Sequence, residues 1–215
     1  MSKTIPETWD IANLGWRVNH NVNYNRLWIS SNELQESPKS LQALGEEGLD
    51  ISDSCPHEIG WLRNIDRLID MMPTNFNPFD YELVDIGCGS GISTLYFSVN
   101  YPFASCLGID FSPSLIQIAQ KNHKSLNKDV RACFMVKDAR SYKIKLSDKK
   151  LFLYLFNSFG FQTAIKFISN NIEALREREA VMAFAWDTWI HQFISVGLHK
   201  KIVRNQYYKL SLIFF

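Results

Sequence analysis

The stretch Leu83 to Leu95, Leu-Val-Asp-Ile-Gly-Cys-Gly-Ser-Gly-Ile-Ser-Thr-Leu, holds the residue types best spaced for chemistry in this 215-residue chain. It sets an acid two residues before three alternate glycines, Asp85-x-Gly87-x-Gly89-x-Gly91. Glycine serves such a turn twice over: it accepts positive φ, and it lets a ligand approach the main chain closely. Placed between an apolar run and a helical pattern, the loop suits a nucleotide-type cofactor. Two further acids follow apolar runs, Asp110 after Cys-Leu-Gly-Ile and Asp138 after Phe-Met-Val-Lys. The two oxygens of a carboxylate ending the second strand of an open α/β sheet can accept hydrogen bonds from both ribose hydroxyls of an adenosine, which makes Asp110 the strongest single binding residue. The plainer alternative is an acid that favours the dipole of the next helix.

The spacing separates two kinds of cofactor. A dinucleotide fingerprint requires G-x-G-x-x-G, and the third glycine counted from Gly87 falls on Ile92, which disfavours a nicotinamide oxidoreductase. The Asp85 to Gly91 pattern instead resembles the first motif of the Rossmann-like (class I) S-adenosylmethionine (SAM) dependent methyltransferases. That resemblance implies that Gly87, Cys88, Gly89 and Gly91 wrap the amino-acid end of SAM while Asp85 orients its ammonium. It implies that Asp110 and Phe111 serve the adenosine, and that Asp138 accepts from the adenine amine while the Ala139 backbone amide serves a ring nitrogen.

Asn157-Ser158-Phe159-Gly160 looks like the Asn-Pro-Phe-Gly variant of the family's fourth motif, and more distantly like the Asn-Pro-Pro-Tyr loop of amino-group methyltransferases. In the family this loop borders the transferable methyl. Methyl transfer from a sulfonium is an in-line displacement that needs alignment, a free lone pair and exclusion of water. The side-chain carbonyl of Asn157, with the Ser158 backbone carbonyl, can take hydrogens from an amine, and Phe159 can stack on a flat substrate or wall off the site. Ser158 stands where those families have proline. That departure keeps open a non-catalytic SAM-binding scaffold or regulatory protein, and Asn157 can alternatively cap the helix starting near Phe161.

These residues need strands and helices to hold them. Tyr81 to Ile86 is a short, buried type of strand leading into the glycines, and a helix follows to about Asn100. Ala104 to Asp110 is a second strand; Ser112 caps and Pro113 begins the next helix. Arg131 to Ala139 reads as a third strand, Leu151 to Phe156 as a fully buried central one, Thr163 to Leu175 as a helix and Ala180 to Trp186 as a fifth strand. Asp187 to Val196 is a short helix, and Lys200 to Arg204 with Tyr207 to Phe215 closes the sheet as a strand pair, its last strand inserted. His199, Lys200, Lys201 and Arg204 read as charge protecting an edge. The fold expected is a doubly wound α/β domain with a mostly parallel seven-stranded sheet over residues 78–215.

Residues 1–77 read as an amino-terminal extension, helical or irregular, serving as a substrate lid or a packing arm. Within it Ser54 to Met72 is expected as one helix, capped by Ser54, with Pro56 in its first turn, Glu58 against its dipole, and an apolar face of Ile59, Leu62, Ile65, Leu68, Ile69 and Met72. Thr74 to Asp80 reads as the linker into the cofactor domain.

Composition narrows the function classes. The formal net charge of +1 argues against a whole-domain electrostatic footprint for nucleic acid, so a small-molecule or protein acceptor is favoured. The basic run Lys137, Arg140, Lys143, Lys145, Lys149 and Lys150 reads as a solvated face or as a dock for an acidic substrate. The absence of a long apolar run or a secretory pattern points to a cytoplasmic protein without a membrane span. Cys55, Cys88, Cys106 and Cys133 are scattered, so buried free thiols are expected rather than disulfides, and no metal ligand pattern stands out. The acceptor is expected to be an amine or a hydroxyl. A hydroxyl needs a general base, for which His191 and His199 are the candidates.

Overall fold

The computed structural model describes residues 41–56, 61–126 and 130–215. Their seven strands are β1 Tyr81–Ile86, β2 Ser105–Asp110, β3 Ala132–Val136, β4 Lys150–Phe156, β5 Val181–Ala185, β6 Lys201–Asn205 and β7 Leu210–Phe214. They form a single sheet in the order β3-β2-β1-β4-β5-β7-β6. β1 to β5 pair in parallel, and β7 enters antiparallel between β5 and β6. The doubly wound, mostly parallel sheet and its inserted last strand are as the sequence predicts.

Burial on both faces explains the continuous apolar run of β4, which hides every residue from Leu151 to Leu155. Alternate residues of each strand serve opposite layers. On one face Leu83, Phe152, Ala183 and Leu212 meet Ile65, Leu68 and Ile69 of α2 (Leu62–Asp70) and Leu95 and Phe97 of α3 (Ile92–Asn100). α4 (Pro113–Ser125) adds Ile116 and Ala119 to that layer. On the other face Val84, Leu153 and Met182 meet Phe167 and Ile168 of α5 (Phe161–Glu177) and Ile190 and Phe193 of α6 (Ile190–Val196). A polar link reinforces the first layer: buried Asp66 of α2 accepts hydrogen bonds from the Tyr96 hydroxyl at 3.0 Å and from the Tyr101 hydroxyl.

The amino-terminal part differs from expectation. A short helix, α1, spans Leu41–Gly45, whereas the helix expected from Ser54 begins only at Leu62. Ser54 instead forms an isolated antiparallel bridge with Phe159. Partners on the sheet override the local helix signal of the serine and proline. Glu58 and Ile59, and the tryptophans and asparagines of residues 1–40, lie outside the described residues. Ile65, Leu68, Ile69 and Met72 do form the buried face expected of them.

Two smaller expectations also change. Cys88 and Cys106 are buried, but Cys55 is half-buried and Cys133 is exposed, because β3 is an edge strand with one face to solvent. Arg204 is not a free edge cation: its Nε and Nη2 donate to the buried carboxylate of Asp187 at 2.7 and 3.1 Å. Among the described residues no helix is long and apolar enough to cross a membrane, and no group of three or more His, Cys, Asp or Glu side chains is arranged to hold a metal ion.

Candidate functional site

The carboxyl ends of β1, β2, β3 and β4 open into one crevice, the usual ligand position in an open α/β sheet. Its lining includes Asp85, Gly87, Cys88, Asp110, Phe111, Asp138, Ala139, Asn157, Ser158 and Phe159. The fold thus gathers residues that lie up to a third of the chain apart in sequence. Gly89 and Gly91 sit in the turn without lining the crevice. Gly91, at φ 79°, is the N-cap of α3, and a Cβ there would fall 2.6 Å from the Phe134 ring and 2.8 Å from Ala119, so its role is close packing.

The acids differ in state. Asp85 is 2% exposed and accepts a 2.6 Å hydrogen bond from Thr94 Oγ1. Burial pushes its carboxyl up to about 7, against the pull of the Thr94 bond, with the negative charge of Asp110 adding to the rise. Asp110 joins two loops: Oδ2 accepts from the Gly89 amide at 2.9 Å and Oδ1 from the Ser112 amide at 2.9 Å. Burial raises its pKa, with the negative charge of Glu47 adding to the rise, while the Ser112, Gly89 and Phe111 amides oppose it. Asp138 is held by Arg140, whose Nη2 donates at 2.7 Å and whose backbone amide donates at 2.8 Å. Burial works upward on Asp138, but the bonds and charge of Arg140 outweigh it and the carboxyl lies below its usual value.

Ser158 is accounted for by contacts that proline cannot make. Its Oγ donates to the Ile86 carbonyl at 2.8 Å, fastening the tip of β4 to the tip of β1. The fit is close enough that a Cβ on Gly87, at φ 75°, would stand 2.4 Å from Ser158 Cβ. The Ser158 carbonyl accepts from the Cys55 amide at 3.3 Å, so with this contact made it is not free for an acceptor amine. Asn157 has φ 43° and its side chain makes no hydrogen bond among the described residues. It does not cap α5, whose N-cap is Gly160. Phe159 is 8% exposed within the core beneath α5 and α6, a wall of the crevice rather than a free stacking surface.

Local sequence pattern gave no sign of the strap formed by residues 46–56, which crosses these strand tips. Glu47 accepts from Ser112 Oγ at 2.8 Å and Ser114 Oγ at 2.6 Å, beside β2. Asp50 pairs with Arg140 beyond β3. Beyond β4, the Asp53 carbonyl accepts from the Gly160 amide at 2.8 Å and its carboxylate accepts from the Thr163 amide at 2.6 Å. Glu47, Asp50 and Asp53 are thus three acids at three-residue spacing, each fixed to a different strand tip. Strap residues Ser54, Cys55 and Pro56 help line the crevice, which encloses about 80 Å³.

The expected base candidates stand elsewhere. Neither His191, in contact with Arg204 at 3.1 Å, nor His199, packed on the Phe193 ring, lines the crevice. Three of the six residues of the basic run are tied down within the molecule, Arg140 to Asp138 and Asp50, Lys143 to the Asn170 carbonyl at 2.8 Å, and Lys150 to Glu179 at 2.6 Å, while Lys137 lines the crevice.

Three carboxylates, Asp85, Asp110 and Asp138, line the crevice at or just past successive strand tips, and the donors that SAM carries, an ammonium, a ribose diol and an adenine amine, are ones that carboxylates accept. Residues 83–178, from β1 to the end of α5, match a family model described as a methyltransferase domain. A SAM-dependent methyltransferase of Leishmania major superimposes with a TM-score of 0.50 over 71% of this chain and 70% of its own, at 10% identity, a likeness of fold alone. TrmK of M. capricolum, solved with S-adenosylhomocysteine (SAH), gives 0.48 at 14% identity, covering 74% of this chain and 68% of that one. By sequence, protein RP028 of Rickettsia prowazekii is 36% identical over 61 residues, 28% of this chain, and the match spans about a quarter of that relative's length. Over residues 83–178 the chain is thus similar to a methyltransferase domain, carried on a doubly wound, mostly parallel α/β sheet.

Proposed function

We propose that this protein transfers a methyl group from SAM to an amine or hydroxyl of a small-molecule or protein acceptor. The observation that carries the reading is the convergence of Asp85, Asp110 and Asp138 on one crevice beside the glycine turn. In this reading Asp85 takes the ammonium, with Gly87, Cys88 and Gly89 shaping the turn around the amino-acid end. Asp110 and Phe111 hold the adenosine, and Asp138 and the Ala139 amide meet the adenine edge. When bound, SAM supplies an activated methyl: the S–CH₃ bond breaks with its electrons passing to sulfur, the acceptor lone pair forms the new bond, and the acceptor proton leaves to solvent.

Asn157 orients the acceptor through its amide, and Phe159 keeps water from that side of the crevice. A small-molecule site commonly measures ~300–1,000 Å³, whereas the strapped crevice encloses about 80 Å³. The strap of residues 46–56 is therefore a lid that shifts when the cofactor enters.

One contact favours a second reading. Engagement of the Ser158 carbonyl by Cys55 removes an acceptor that an amine methyltransferase of the Asn-Pro-Pro-Tyr kind would use, which suits a SAM-binding scaffold without turnover. Incubation with labelled SAM and a cell extract, followed by assay of SAH and of labelled products, separates the two. The enzyme reading expects acceptor-dependent SAH. Tight SAM binding with no product from any fraction would leave the scaffold.

A further inference from the structure

A second cavity adjoins the crevice. It is a groove of about 360 Å³ at the tips of β4 and β5, and Phe156 and Asn157 line both spaces. We propose that this groove is the acceptor subsite, and that its ligand is a free small molecule: a flat, uncharged aromatic ring carrying an anionic substituent. The proposal rests on the methyltransferase reading above and names the acceptor class for it.

Backbone strain marks the groove independently of its shape. Among the described residues four that are not glycine have positive φ, and three of them, Asn157 at 43°, Trp186 at 61° and Lys209 at 52°, line it. Such conformations are costly, most of all for a bulky side chain, and persist where the surroundings enforce them; they concentrate at ligand sites. Here they direct an amide, an indole and an ammonium toward one space. Large rings stand open around it, with Trp61 75%, Trp186 45% and Tyr207 86% exposed. Open rings beside a cofactor crevice offer stacking faces to a planar ligand.

The charges select among planar ligands. The Lys209 ammonium lies 4.2 Å from the centre of the Trp186 ring, and the Arg67 guanidinium lies 3.7 Å from the centre of the Tyr208 ring. Cations of the protein itself thus already sit on two of the rings that line the groove. Among the described residues no carboxylate lines it, so a lysine-like or quaternary ammonium finds no counter-ion. A ring acid finds one in Lys209. The volume holds one small molecule rather than a folded surface or a run of nucleotides.

Calorimetry on the full chain saturated with SAH tests this with four probes: 4-hydroxybenzoate, uridine 5′-monophosphate, a ten-nucleotide oligouridine and a lysine peptide. The expected result is binding of at least one of the first two, weakened tenfold or more by Lys209→Glu and by Tyr207→Ala, with SAH affinity unchanged in both variants. Tyr207 is open to solvent, so its truncation leaves folding intact and keeps the test decisive. The proposal is overturned if the lysine peptide binds best, if oligouridine binds more than tenfold tighter than the mononucleotide, if neither ring anion binds, or if both variants bind as the parent does. If SAH itself fails to bind, the methyltransferase reading falls and the groove assignment falls with it; SAH binding without ring-anion binding overturns the groove alone.

Discussion

Asp53 and Thr163, 110 positions apart in sequence, are joined by a 2.6 Å hydrogen bond from the Thr163 amide to the Asp53 carboxylate. The bond caps α5 from outside its own chain segment and ties the strap to the tip of β4. Gly160 permits the approach, since a Cβ there would fall 2.1 Å from Asp53 Oδ1. Helix capping and closure of the crevice therefore share one side chain.

Asp53→Ala should lose a helix cap, costing about 1 kcal/mol and lowering the melting temperature by about 2–4 °C for a chain of this size. The same change should speed SAH association, because one of the strap's anchors is gone. Denaturant titration and stopped-flow fluorescence read the two effects. Loss of stability with an unchanged association rate would leave Asp53 as a cap and remove the strap from the entry path.

With Asp85 as the proposed partner of the cofactor's ammonium, cofactor binding is expected to depend on pH. Its folded carboxyl stands at about 7 and its ordinary value is 3.8, so between these values the folded chain keeps a proton that the unfolded chain releases. The stability this contributes is complete below about pH 4 and is lost as pH rises through about 7. An ammonium placed beside Asp85 reverses the preference. SAM should therefore displace a proton below about pH 7, and its affinity should rise with pH and then level off. Calorimetry near pH 6 in buffers of different ionisation enthalpy measures the proton; its absence would remove Asp85 from the ammonium site.

Gly87→Ala should force the tips of β1 and β4 apart, given the 2.4 Å clash with Ser158 Cβ and the positive φ. The expected result is SAH binding weakened at least tenfold. Ser158→Ala should cost only the hydrogen bond to Ile86, about 1 kcal/mol. Equal SAH affinities in the two variants would show that the junction of these tips does not shape the cofactor turn.

Asp66→Ala should be the most destabilising of these changes, about 3 kcal/mol, since it removes the acceptor of two buried tyrosine hydroxyls. Urea denaturation checks it. A loss under 1 kcal/mol would mean that water or another group replaces the carboxylate, and α2 would then be less firmly joined to the sheet.

What was legible in the sequence was local. The glycine turn, the acids ending β1 and β2, the acid just past β3 and the apolar run of β4 each announce themselves within about ten residues, because a parallel strand buried on both faces must be apolar throughout. The strap was not legible. Glu47, Asp50 and Asp53 find their partners at Ser112, Arg140 and Thr163, and no short-range pattern encodes contacts of such separation. The same contacts undid the helix expected from Ser54, whose capping signal is genuine but whose backbone pairs with Phe159 instead. Trp186 left a usable clue, since an aromatic residue directly after a central strand stands at the ligand edge of the sheet.

The most direct test is a crystal structure of the full chain with SAH. The account predicts the ribose hydroxyls within hydrogen-bonding distance of Asp110, the amino-acid end against Gly87, and the strap of residues 46–56 displaced from its present path. Ligand bound elsewhere, with the crevice still closed over Asp110, would contradict it.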